Sequence, residues 1–211
     1  LFALVDEATL AGADVERAAI LLISSQMLAR IGEQRESEQL AEECLAIATR
    51  CADSVLLADC YNCVAVSILL SDAPRARTLF SRALELIVAS GDARRRSRTL
   101  NNIGILDMME NRWADARDTF AEAVEFARTA GLTEHWARGA LNAGVLAIRT
   151  GDSESAANWL GEALRISAEA QNTVLQLGAT FNLAHVARDR GDFVRARNTY
   201  ELTTELAVRI G

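Results

Sequence analysis

The sequence predicts an all-α solenoid of five helix-turn-helix repeats with one further helix in front. Three observations lead there. An asparagine returns every forty residues, at Asn62, Asn102, Asn142 and Asn182. A fixed period in this range is the mark of an array of stacked supersecondary units. Apolar residues recur at helical spacing throughout, in a chain that is half apolar, rich in alanine and poor in aromatics. The breaks in that spacing carry helix stop-and-restart signals such as Gly151–Asp152 and Gly191–Asp192, where glycine accepts a left-handed cap and aspartate caps the next helix.

The elements follow in order. Residues 1–14 carry Leu1, Leu4, Val5, Ala8 and Ala11 at helical spacing. Shifted by forty they fall on the back half of a second helix, so this segment is expected to end a truncated repeat. The first complete repeat, 15–53, has Ile20, Ile23, Met27 and Ile31 on one helix, a stop at Gly32, then Leu40, Cys44, Leu45 and Ala48. The second, 54–91, turns at Ser71–Asp72–Ala73–Pro74, a capping oxygen followed by a residue that needs no helical N–H. The third, 92–131, turns at Asn111–Arg112. The fourth, 132–171, and the fifth, 172–211, turn at the two Gly-Asp pairs. The repeats align without insertion or deletion. The first departs at the ladder position, where Leu22 stands.

Composition narrows the function. The formal net charge is -7, which disfavours nucleic acid and anionic membranes as partners. No apolar run is long enough to span a bilayer, and no secretory leader is visible, so a cytoplasmic compartment is expected. Every basic residue apart from the two histidines is arginine, which genome composition explains. The first residue is Leu1, in a helical pattern, and the chain is expected to be a fragment of a longer protein.

The internal pattern resembles the tetratricopeptide repeat. A small residue of the first helix appears as Ser24, Val64, Gly104, Gly144 and Ala184. An alanine opens the second helix at Ala76, Ala116, Ala156 and Ala196, and a large residue follows at Leu40, Phe80, Phe120, Leu160 and Tyr200. Small residues let helices approach and the large one fills the gap. The family's usual period is about 34 residues. The forty-residue form resembles kinesin light chains and the sensory regions of bacterial regulators. The resemblance implies a right-handed superhelix whose first helices line a concave groove.

Helical angles place Asn102 with Arg98, Ile105 and Met109, and Asn142 with Arg138, Val145 and Arg149. Asn182 falls with Gly178, His185 and Asp189. Tyr61, Asn101, Leu141 and Phe181 flank the ladder. A carboxamide donates and accepts, so a row of them can hold the backbone of an extended peptide. The resemblance implies the same use. Arg98, Arg138 and Arg149 would favour an acidic group. The expected function is a non-enzymatic protein- or peptide-binding module of a bacterial transcription regulator or signalling protein. A purely structural ladder is the competing reading. A sugar-like effector, with Tyr61 and Phe181 in its pocket, and self-assembly through the ends of the array are the alternatives.

Other candidates weigh less. Cys44, Cys51, Cys60 and Cys63 could face one another as zinc ligands, but they occupy core positions. The run Arg94, Arg95, Arg96 and Arg98 is expected to be a solvated face plus one groove arginine. Trp113, Trp136 and Trp159 are dispersed and form no stacking platform. His135 and His185 have no nucleophile placed for catalysis. No metal or cofactor is expected.

Overall fold

The computed structural model describes residues 14–51 and 53–210, apart from the side chains of Arg30 and Ile210. The expected leading helix at 1–14 lies outside them save for Asp14. The described residues form ten α-helices and no strand. The chain packs as two compact units, Leu1–Asn102 and Ile103–Gly211. The first holds α1 (Asp14–Ile31), α2 (Gln34–Cys51), α3 (Ser54–Ser67), α4 (Ala73–Ser90) and the front of α5 (Ala93–Met109). The second holds the rest of α5, α6 (Trp113–Thr129), α7 (Thr133–Arg149), α8 (Ser153–Glu169), α9 (Thr173–Asp189) and α10 (Phe193–Ile210).

Most helices start on a local capping bond, whereas α6 and α7 start at Arg112 and Leu132 without one. Asp72, Asp152 and Asp192 accept the N–H of the residue three positions on, at 3.0–3.1 Å, which satisfies one of the orphan donors of a first turn. Asp53, Asp92 and Asn172 do the same for the helices that follow them. At the α7 end, Gly151 N–H donates to Ile148 and Asp152 N–H to Ala147 (3.1 and 2.9 Å), and Gly151 takes φ 79°. Asn111 and Gln171 take positive φ of 59° and 53°, so two turns run through the left-handed region without glycine. Asparagine tolerates that region through its short polar side chain. Gln171 has no such local device.

The core is built from apolar stripes of facing helices. In the second unit Ala156, Leu160, Ala163 and Ile166 form the buried stripe of α8, and Leu160 and Ala156 meet Ala147 and Val186 of the two first helices on either side. The small residues set the distance. A Cβ added to Gly104 would stand 2.6 Å from the Phe120 ring, and one added to Gly144 would stand 2.6 Å from Leu160. Those are the small and large positions of the repeat pattern. In the first unit, Leu40, Cys44, Ile47 and Ala48 of α2 pack with Leu56 and Cys60 of α3.

Two alanine substitutions separate close packing from helix propensity. Gly144→Ala is expected to lower stability by about 1–3 kcal/mol through overpacking. Gly161→Ala, on an open stretch of α8 with nothing within 4 Å, is expected to raise it by about 0.5–1 kcal/mol. Urea unfolding of the two variants beside the parent checks both signs.

Candidate functional site

The first helices of neighbouring repeats lie side by side, α3 with α5 in the first unit and α7 with α9 in the second. The recurring asparagines sit on the faces they share. Asn62 is 6% exposed. Its Oδ1 accepts the Nδ2–H of Asn102 at 3.1 Å and the hydroxyl of Thr99 at 3.3 Å. One rung of the ladder is therefore a direct bond between two repeats. Asn102 is half-buried, and Asn101, its neighbour, is buried.

Beside this rung sits an ionic cluster. The Asp59 side chain is 13% exposed. It accepts Nε and Nη2 of Arg95 at 3.0 and 2.8 Å on one oxygen and Arg98 on the other. Arg95 also reaches Asp92, and that carboxyl is held below its usual range, first by the Arg95 backbone N–H and then by the guanidinium. The Arg95 pKa is pushed above its ordinary value, chiefly by the bond to Asp59. Planar guanidinium groups suit such paired recognition of a carboxylate. Arg98 thus gives its charge to α3. Of the basic run, Arg95 and Arg98 turn toward a neighbouring helix, while Arg94 is exposed.

In the second unit the candidates divide. Arg138 pairs with Glu134 one turn earlier at 2.8 Å, both about half exposed. Arg149 is exposed and meets no carboxylate among the described residues. Leu141 is half-buried and packs across to α9, 3.1 Å from where a Cβ on Gly178 would stand. Asn142 and Asn182 are half-buried. Asn182 Nδ2 donates to the Gly178 carbonyl of its own helix at 2.8 Å. Phe181 is 46% exposed. Its ring meets His185 edge-on at 4.5 Å, and Tyr200 lies 6.1 and 5.7 Å from the two. In the first unit Tyr61 packs on Ala58, Ala83 and Ile87 beneath the Arg82 guanidinium.

The remaining candidates are structural. Cys44, Cys60 and Cys63 are buried and Cys51 half-buried, all as free thiols. Cys44 Sγ donates to the Ala18 carbonyl, and Cys63 Sγ lies 3.4 Å from the Ser25 hydroxyl. The Cys60 thiol is pushed far up, first by its contact with Cys44 and then by burial, and burial pushes Cys63 up. No group of three His, Cys, Asp or Glu is placed to hold a metal among the described residues. Trp113 and Trp159 flank a cleft of about 400 Å³ floored by Ala143, Leu146 and Ala147, and both also pack on the Phe120 cluster. Trp136 donates its Nε1–H to Glu162 at 2.7 Å. No helix among the described residues is long and apolar enough to cross a membrane.

Solved structures with this arrangement share little sequence with the chain. BtubC from P. vanneervenii superposes with a TM-score of 0.78 at 21% identity, over 98% of this chain and 87% of that one. A Rap protein complexed with Competence and Sporulation Factor gives 0.83 at 17%, over 90% of this chain and 54% of that one. Nearly identical TPR-like repeats from Podosopora anserina give 0.70 at 14%, over 92% and 96%. The fold is the tetratricopeptide-repeat fold. No protein-family model matches the sequence, and none of the curated proteins does.

Within this tetratricopeptide arrangement Asp59, Asp92 and Thr99 are the residues that sequence reasoning passed over, while Arg95, expected on a solvated face, is turned onto Asp59. Asp59 lies a period less one residue before Arg98 and less four before Arg95. Opposite charges offset by about one period are the available signal, because such positions face each other across stacked repeats.

Asp59→Asn should cost about 1–3 kcal/mol, since two guanidinium groups lose their shared charged partner in a largely buried setting. The shift in urea midpoint measures it. Thiol chemistry gives a second expectation. The thiolate is the reactive form, and the upward shifts at Cys60 and Cys63 deplete it at pH 8. Ellman's reagent should therefore modify Cys51 first, and the three buried thiols only once urea unfolds the chain.

Proposed function

We propose that this chain is a non-enzymatic module that binds an extended peptide or protein segment on the face formed by its first helices. The observation that carries the reading is the pair of half-buried carboxamides, Asn142 and Asn182, on the adjoining helices α7 and α9, with Arg149, two turns along the same face, meeting no carboxylate among the described residues. A carboxamide has two donor hydrogens and two lone pairs. The single bond from Asn182 to Gly178 leaves most of that capacity for a ligand backbone. The exposed ring of Phe181 adds apolar surface next to it. The Rap protein, alike in fold, is complexed with Competence and Sporulation Factor, which supports a factor held by the same kind of scaffold. A place within a bacterial transcription regulator or signalling protein rests on the resemblance of the forty-residue repeats to those of such regulators.

The first unit uses its rung differently. Asn102 supplies the amide that satisfies buried Asn62, so Asn102→Ala removes a structural bond as well as a candidate ligand contact. Asn142 and Asn182 probe the second unit. Selection of random dodecapeptides on the chain should enrich binders. Calorimetry should then show a loss of about fivefold to tenfold in affinity for each of Asn142→Ala and Asn182→Ala, the worth of one hydrogen bond. Equal affinity of the parent and the double variant would sink the proposal.

A further inference from the structure

On the face that bears the asparagines, the position seven residues after the ladder residue is Met109 in α5, Arg149 in α7 and Asp189 in α9. Seven residues are two turns to within about 20°, so each shares the face of its asparagine. Met109 is 40% exposed. Ile105 and Met108 of the same helix pack against the cluster that Leu146 and Ala143 of α7 share with Phe120 and Ala116. Arg149 is the arginine of this face whose charge no carboxylate answers among the described residues, whereas Arg138 has Glu134. Arg149 also stands in the last turn of α7, where the helix dipole favours a cation, so it is held there without needing an acidic partner from the chain. One repeat on, the same position holds Asp189, which meets Arg188 at 2.9 Å, so it presents no unanswered positive charge.

Spacing converts this row into a ligand pattern. Packed helices lie roughly 8–10 Å apart, and an extended chain advances about 3.3 Å per residue. A strand crossing the first helices therefore moves about three residues for each repeat.

We propose that the second unit selects an extended peptide with an apolar side chain at Met109 and, about three residues away, an aspartate or glutamate side chain at Arg149. This rests on the peptide-binding reading above and names the ligand that reading leaves open. The thioether of Met109 is flexible and polarizable and accepts varied apolar partners. The guanidinium of Arg149 accepts a carboxylate in a two-pronged contact.

The test uses the whole chain and random peptides displayed with both ends joined to a carrier, so that no terminal carboxylate contributes. The parent should enrich peptides with an acidic residue about three positions from an apolar one. Replacing that acid by its amide should weaken binding about threefold to fivefold, as for a partly exposed ion pair. Arg149→Gln should cost the same, and combining the two changes should cost nothing further. Arg149→Glu should enrich a basic residue in that position. If Arg149→Glu enriches the same acid as the parent, the proposed contact is wrong, although binding that still depends on Asn142 and Asn182 would keep the peptide-binding reading. If the parent enriches no peptide, both fall.

Discussion

The close approach of the first and second helix within a repeat is the constraint on which the other features depend. Gly104 lies under the Phe120 ring and Gly144 under Leu160, with no room for even a methyl group. A large side chain seated on a bare backbone brings the helices together, and the next repeat is packed against the surface they form. Interiors are close-packed, so a spacing set at one contact is transmitted to its neighbours. The face presented by the first helices follows from that spacing. If α7 stood further from α8, Leu141 would not reach Gly178, and Asn142 and Asn182 would not lie on adjoining helices.

On that face the same residue types serve two ends. Asn62 and Asn102 bond each other, and Arg98 answers Asp59. These polar contacts stand where repeats meet, and burial raises their worth because the alternative is an unsatisfied group away from water. In the second unit Asn142 and Asn182 occupy the equivalent positions, and Arg138, one period after Arg98, meets Glu134 of its own helix. The residue one period after Asp59 is Thr99, which offers no carboxylate. The difference between a strut and a candidate ligand contact is thus a matter of what the adjoining helix offers, not of the residue itself.

Much of this was legible in the residues. Helix ends were readable because capping is local: aspartate, glycine and proline act on the backbone within a few positions of themselves. The two left-handed turns at Asn111 and Gln171 carry a weaker signal, and at Gln171 none, because glutamine has no turn preference and the backbone alone closes the turn, Gln171 N–H on Ala168 and Asn172 N–H on Ser167. The buried cysteines were readable as core because they fall on apolar stripes. Tyr61 was expected beside the ladder, and the structure lays it on Ala83 and Ile87 of the following helix. A position at the edge of a helical face can turn either way, and a large ring goes to the side with more apolar surface. Asp59 and Thr99 look like ordinary helix-surface residues, and Arg95 like one more solvated arginine, until the helix one repeat away is laid beside them.

The amino-acid sequence by itself determined the period, the helices, their caps and the small-to-large contacts that define the repeat. Those features depend on residues a few positions apart or on a pattern that recurs unchanged. The tertiary structure alone decided which polar groups are spent on one another within the chain. Pairing of Asp59 with Arg98, and of Asn62 with Asn102, depends on distances of a few ångströms between helices far apart along the chain, and composition and periodicity carry no such distances.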